Sequence, residues 1–300
     1  MSKFKIVGLG EVLWDVFPTH KQLGGAPANF AYISNLLGDE AIVASRVGTD
    51  DSGDEIVHRL ESLGLDASYL QRDAVHATGT VKVEVGGDGQ PRFEITQGVA
   101  WDFLEWTLEL KALAAEADAV CFGSLAQREV QSRETIHQFV AATRKNAVRV
   151  FDVNLRQAFY SAEVLMASAE EADILKLNRE EIPAVMLALR APALDELQSA
   201  RLLCRHFGLK LVCVTRGAAG SLLVTPSAYD EHPGYRVTVA DTVGAGDAFT
   251  ATLVHHYLRG SSLATMNDAA NQMGAWVASQ SGATPAIDRE QIEKARTGGA

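Results

Sequence analysis

Cysteine is scarce: Cys121, Cys204 and Cys213 are the only three in 300 residues. An odd number without metal-ligand spacing argues against a disulfide scaffold or a structural zinc site. Two of the three lie in apolar runs that read as buried strands, Ala119 to Phe122 and Leu211 to Val214, and all three read as reduced core residues. Positive charge is also short, with 27 Lys and Arg against 38 Asp and Glu and a formal net charge of -11. The average field of such a molecule repels nucleic acid and anionic membranes, so neither is expected as a partner. A nucleotide is not excluded, because a few local N–H groups, cations and a metal can hold it on an acidic protein. No apolar stretch approaches the length of a membrane span. The N-terminus has only a short apolar run before Glu11 and Asp15, which fits a first strand and not a signal peptide. A cytoplasmic protein is expected. No Pro- or Ser-rich linker, internal repeat or low-complexity segment divides the chain. A hydrophobic content of 47% over this length suffices for one large domain or two modest ones, and without a linker the expectation is one domain over 1–300.

What is present is an alternation. Short β-rich runs lie near Phe4 to Leu9, Ala41 to Val47, Ala119 to Phe122, Val148 to Val153, Ile174 to Leu177, Leu211 to Thr215 and Ser221 to Val224. Between most of them, segments such as Ala28 to Leu37, Ile56 to Leu63, Val130 to Ala142 and Leu194 to Phe207 carry apolar residues at helical spacing. The pattern predicts an α/β fold, a mainly parallel sheet with helices on both faces, in a three-layer α/β/α sandwich. One section breaks it: Thr78 to Val85 and Arg92 to Thr96 alternate apolar and polar residues around the turn cluster Gly86-Gly87-Asp88-Gly89. They predict a β-hairpin, read as a small lid, to which Leu13 to Phe17 adds a strand. The lid is expected from about 12–24 and 77–100. From Leu253 onward the chain reads as helices, through Leu263 to Ser279 and Arg289 to Ala295.

Gly8-Leu9-Gly10 after the first strand invites a dinucleotide-binding reading, but the third glycine of G-x-G-x-x-G would fall at Leu13. No G-x-x-x-x-G-K-[ST] run exists, so phosphate must be cradled by another device. The run Asp241-Thr242-Val243-Gly244-Ala245-Gly246-Asp247 supplies one. Its small residues let the chain bend sharply into a helix, so that unpaired backbone N–H groups and the helix dipole face one point. Asp247, in the first helical turn, can accept a proton from an attacking hydroxyl, and the combination suggests phosphoryl transfer to an alcohol. Taken alone, the run could also be an ordinary turn and an ordinary helix-start acid. The second constellation is Gly24-Gly25-Ala26-Pro27-Ala28-Asn29-Phe30-Ala31, with Gly38 closing the helix that follows. Two glycines allow close backbone approach, Pro27 suits a first turn, and the Asn29 amide can both donate to and accept from a hydroxyl, as polyol binding needs. A plain loop into a helix is the competing reading. Asp15 could hold a pair of sugar hydroxyls or be a solvated strand residue.

These two motifs, in this order, resemble the signatures of the ribokinase-like (PfkB) family of sugar kinases, and the resemblance spans essentially the whole chain. Thr252 departs from the family's usual Ala or Gly, which bears on local helix packing. The resemblance implies that Asp247 is the catalytic base, that the N–H groups of Gly244, Ala245 and Gly246 form an anion hole, and that Asp15, Gly24, Gly25 and Asn29 contact the sugar. It implies that Asn178 and Glu181, in Asn178-Arg179-Glu180-Glu181, help organise magnesium and phosphate through water. On the nucleotide side it implies Asn178, Thr215, Gly217, Gly220, Gly244, Gly246 and Asn271, with Thr215 to Gly220 passing under ATP. A monovalent cation, K⁺ in many members, would sit on carbonyls of Asp241 and Val243 and the loop around Gly282.

Within the family the local resemblance is to bacterial fructokinases, carried by Gly10 to Pro18, Gly24 to Ala31, Phe122 to Arg128 and Phe151 to Arg156. Asn154 and Arg156, at a strand end facing the crevice, are plausible contacts to sugar or phosphate. Gln97, Ala100, Trp101 and Asp102 follow the lid hairpin and are placed to shape the sugar pocket, Trp101 more by packing. The expected activity is ATP- and Mg²⁺-dependent phosphorylation of D-fructose at its 6-hydroxyl. A kinase for another sugar, a sugar acid such as 2-keto-3-deoxygluconate, ribose or a nucleoside stays open, as does a catalytically silent sugar-binding regulator. Small-molecule sugar and ATP are the expected partners, with a homodimer through the lid as the expected assembly.

Overall fold

The computed structural model describes residues 3–85 and 91–286. Its strands are β1 (Lys5–Leu9), β2 (Leu13–Val16), β3 (Lys21–Gly24), β4 (Glu40–Gly48), β5 (Leu70–Asp73), β6 (Gly79–Val85), β7 (Pro91–Ile95), β8 (Ala119–Gly123), β9 (Val148–Asp152), β10 (Ile174–Asn178), β11 (Leu211–Thr215), β12 (Ser221–Val224) and β13 (Tyr229–His232). Its α-helices are α1 (Ala26–Leu36), α2 (Asp51–Ser62), α3 (Leu108–Glu116), α4 (Val130–Ala142), α5 (Ala162–Glu171), α6 (Ile182–Ala188), α7 (Glu196–Phe207), α8 (Ala245–Leu258) and α9 (Leu263–Ala278). Among the described residues, nine strands form one sheet in the order β13-β12-β11-β10-β9-β8-β1-β4-β5. From β5 to β11 every neighbouring pair is parallel, and β12 and β13 are added antiparallel.

Strand alternation sorts the side chains into two cores. Val7, Leu9, Phe122, Phe151, Leu175 and Val212 point to one face, while Ile6, Cys121, Val150, Ile174, Leu211 and Cys213 point to the other. Helices α3 to α7 cover the first with Leu113, Phe139, Leu165, Val185 and Leu203, and α1, α2, α8 and α9 cover the second with Phe30, Leu60, Leu253 and Met273. Each large apolar side chain so buried contributes about 1.5–3 kcal/mol relative to exposure, against about 0–1 kcal/mol for a surface ion pair, so packing sets this architecture. The three cysteines are free and buried, as expected.

Four strands make a second sheet, β3-β2-β6-β7, in which β2 pairs parallel with β6 and the other pairs are antiparallel. This small sheet contains the expected hairpin and the added strand at Leu13 to Val16. The turn cluster Gly86 to Gly89 and the helix expected over Arg289 to Ala295 lie outside the described residues. Strands β3, β5 and β13 were not legible as strands, and all three are edge strands with polar sequences, KQLG, LQRD and YDEH. Each of the three has only 4 residues, at least half of them outside the core, too few to show an apolar alternation. Thr252 is fully buried and its Oγ1 donates to the Ala248 carbonyl at 2.9 Å, so the extra hydroxyl is satisfied within α8. Among the described residues no helix is long and apolar enough to cross a membrane.

Sheet order reverses at β1, which has β4 on one side and β8 on the other. In an open α/β sheet the crevice beyond the carboxyl ends of the strands at such a reversal is where ligands bind. Both sequence motifs, Gly24 to Asn29 and Asp241 to Asp247, are delivered to that crevice by α1 and α8.

Candidate active site

Helix α1 begins after Gly25, whose φ of 104° and close approach to the Glu11 carbonyl leave no room for a side chain. The start brings Asn29, 3% exposed, onto the inward face of the first turn. Helix α8 begins after Gly244, at φ 78°, where a Cβ would lie 2.8 Å from Ala283 Cα. The Asp241 carboxylate accepts from the Val243 N–H at 3.0 Å and the Gly282 N–H at 3.2 Å, which shapes this turn. Ala245 N–H reaches the Thr242 carbonyl at 3.3 Å, and the first-turn N–H groups of Gly246 and Asp247 have no intrahelical acceptor. The two helices meet at their starts: Asn29 Nδ2 donates to Asp247 Oδ2 at 2.8 Å, across 218 positions of sequence. A small cavity there is lined by Asp152, Asn154, Asp247, Phe30, Cys121 and Phe122.

Acid outnumbers base around this point. Burial, and then the Asp152 charge, push Asp247 up to about 6, while the Asn29 hydrogen bond, Lys176 and Arg156 act against the rise. Burial pushes Glu11 up to about 7, with the nearby backbone N–H groups of Glu11 and Ala26 and the Arg156 charge opposing. Asp15 is likewise raised by burial to about 6, with Arg156 opposing. Arg156 itself is exposed, with Nη1 3.2 Å from the Leu155 carbonyl, and it is the solvent-side cation facing these carboxyls. A Cβ on Gly24 would strike the Asp15 carboxylate, so that glycine makes room for the acid. Asn154 adopts φ 40° at the end of β9, and Gln97 is exposed beside the lid. Ala100, Trp101 and Asp102 are buried, and Arg128 binds both oxygens of Asp102 at 2.7 Å while stacking on Trp101. Trp101 therefore packs, with Gly79 of the lid pressed against its indole.

On the nucleotide side, Asn178 and Thr215 are register partners at the ends of β10 and β11. Asn178 Oδ1 accepts from Glu181 N–H at 2.9 Å, and the Glu181 carboxylate accepts from Asn178 N–H and Leu155 N–H, each at 2.8 Å. This reciprocal cap occupies both carboxylate oxygens, so the pair fits an ion held through water and not one ligated directly. Among the described residues no cluster of three or more His, Cys, Asp or Glu could hold a metal. Gly217 (φ 58°) is open to solvent, whereas Gly220 (φ 81°) is pressed against the His232 carbonyl. Asn271 is buried and donates to Ser221 Oγ and the Asn267 carbonyl, both at 2.7 Å, so it braces α9 against β12.

Sequence reading missed the floor of the site. Lys176, 5% exposed, pairs with Asp152 at 3.0 Å, and Thr250 Oγ1 is 3.1 Å from the other Asp152 oxygen. Burial would pull Lys176 down, but Asp152, Glu181 and Asp247 more than reverse this and hold it charged. The available signal was a lysine between Leu175 and Leu177 in an otherwise apolar strand.

The family model for pfkB family carbohydrate kinases matches residues 5–290. An uncharacterized sugar kinase from Pyrococcus horikoshii is 28% identical, over 96% of this chain and 94% of that protein, and its crystal structure superposes with a TM-score of 0.84, covering 97% of each chain. The fructokinase of Vibrio cholerae O395, solved with fructose, ADP and calcium ion bound, is 27% identical with a TM-score of 0.79, covering 97% of this chain and 98% of that one. The deoxyribokinase of Salmonella typhi is 28% identical over 79% of this chain and 74% of that protein.

Proposed function

The chain belongs to the pfkB family of carbohydrate kinases, and from that premise we propose that it transfers the γ-phosphoryl group of ATP to a sugar hydroxyl, with the 6-hydroxyl of D-fructose as its acceptor. The observation that carries this reading is the 2.8 Å hydrogen bond from Asn29 to Asp247, which joins the polyol-binding loop to the base beside the anion hole. Asp247, raised to about 6, is mostly ionised at neutral pH yet basic enough to take a hydroxyl proton. As that proton moves to Asp247, the sugar oxygen forms a bond to the γ-phosphorus and the bridging oxygen leaves with ADP. The N–H groups of Gly244 and Gly246 receive the equatorial oxygens, joined by that of Ala245 once it leaves the Thr242 carbonyl, and Arg156 can close on the phosphate from the solvent side. Magnesium, carried in with ATP and reached through water from Asn178 and Glu181, would neutralise phosphate charge. Thr215, Gly217 and Gly220 form the floor for the nucleotide, with Asn271 stiffening the wall behind them. The carbonyls of Asp241 and Val243 are the seats for K⁺. Lid closure would exclude water and limit hydrolysis of ATP.

Fructose as the acceptor is supported by the four fructokinase-like runs and by the Vibrio cholerae structure with fructose bound. A pocket tuned to one sugar differs from its relatives by a few hydrogen bonds, and the deoxyribokinase similarity keeps a pentose in contention. Initial rates with ATP and a panel of fructose, ribose, deoxyribose, 2-keto-3-deoxygluconate and nucleosides, compared as kcat/KM, test the assignment. Fructose should lead; a lead for another acceptor replaces it, and no sugar-dependent ADP release from any acceptor supports the silent regulator. Three buried free thiols suit a reducing cytoplasm. Pairing of two lids in a homodimer would give a particle of twice the chain mass by light scattering.

A further inference from the structure

We infer that the buried Lys176–Asp152 ion pair is a positioning pair for phosphoryl transfer, which seats the first turn of α8 and holds an ammonium and a carboxylate at fixed places beside Asp247. This rests on the reading of Asp247 as the base. Asp152 and Lys176 are direct register partners on β9 and β10, on the face turned towards α8. Both are about 5% exposed or less, and Nζ lies 3.0 Å from Oδ1. Taking two charges out of water costs several kcal/mol per ion, and a well-packed apolar pair would serve stability as well. The position of the pair shows what it serves instead.

Both partners touch the anion-hole turn. Thr250, one helical turn beyond Gly246, has its Oγ1 3.1 Å from Asp152 Oδ2 and 3.0 Å from the Gly246 carbonyl, which ties the sheet to the start of α8. A Cβ built on Gly246 would come within 3.3 Å of Lys176 Nζ. Gly246 is not among the positive-φ residues, so its backbone would accept a side chain, and what a Cβ there would crowd is the ammonium. The ammonium thus adds a full positive charge behind a helix start that already carries the positive end of its dipole.

The same two residues act oppositely on Asp247. Asp152 favours its protonated form and Lys176 its ionised form. The other groups facing it are Asn29 on α1, which donates to it, Arg156 after β9, and the carboxyls of Glu11 and Asp15 from the β1–β2 segment, both like charges.

The test is a titration of Asp247 in ligand-free protein, using aspartate labelled with ¹³C at the carboxyl carbon and assigned by loss of the signal in Asp247→Asn. Asp152→Asn should lower its midpoint and Lys176→Met should raise it, each by about one pH unit, the low end of the range for a nearby charge. The double variant should return close to wild type. Shifts in the same direction, or none in folded variants, overturn the inference. If Lys176→Met does not fold, as judged by circular dichroism, the double variant compared with Asp152→Asn decides, because removing the lysine must raise the midpoint there too. The readout needs no turnover: a wild-type protein inactive with every sugar would sink the kinase reading, whereas wrong-signed shifts would sink this one alone.

Discussion

In the proposed reading, the acceptor side of the crevice is closed and cross-braced, and the nucleotide side is open. Asn29, Asp152, Lys176 and Thr250 are buried; Asn29 donates directly to Asp247, and Lys176, Asp152 and Thr250 form a chain of bonds that ends on the Gly246 carbonyl. Gly217 to Ala219, by contrast, are exposed. The difference follows from what each side must do. A hydroxyl has to be aligned within a fraction of an ångström of a base, which only a pre-packed shell can do, while a nucleotide brings its own charge and surface and can complete an open floor. The acceptor side therefore carries the strained electrostatics, with three raised carboxyls facing two cations.

Four measurements can break or sharpen this contrast. The largest effect is expected from Asp247→Asn, which should lower kcat by at least about a hundredfold while calorimetry shows sugar binding retained; near-normal turnover would remove Asp247 from its role. Next comes a matched glycine pair. Gly244→Ala meets both a positive φ and Ala283, and should cost about 1–3 kcal/mol in chemical denaturation, whereas Gly217→Ala, with open space around it, should cost about 1 kcal/mol or less. Equal losses would mean that the two sides are equally rigid.

Smaller is the effect of Asn29→Ala, which removes the hydrogen bond that favours ionised Asp247. The acid limb of kcat/KM, near pH 6 in the wild type, should move to higher pH. The smallest is a stability trend. Glu11, Asp15 and Asp247 hold protons more tightly folded than unfolded, so their contribution is present at low pH and is lost as pH rises through about 6 to 7. The melting temperature of Asp247→Asn should fall less between pH 5 and pH 8 than that of the wild type, and an unchanged slope would show that Asp247 is not held in its raised state.

Legibility in the sequence tracked the range of the physics. The central strands were readable because both faces are buried and whole runs such as Leu211 to Val214 must be apolar; the edge strands β3, β5 and β13 were not, because half of each lies outside any core. The turns at Gly24 to Asn29 and Gly244 to Asp247 were readable because backbone geometry demands particular residues in a row. Glu11 and Asp152 stood in quoted runs without a role, since what gives them one is distance to residues far away in sequence.

By itself, then, the chain's order of residues determined an α/β sandwich with a small added sheet, a glycine-rich turn into a helix and an acid in its first turn, all properties of periodicity and local backbone. The tertiary structure alone decided that Asn29 reaches Asp247, that Gly246 lies against the Lys176 ammonium, and that Glu181 is spent on backbone N–H groups. Proton affinity and charge placement depend on separations of a few ångströms between segments, and only packing the segments together fixes those separations.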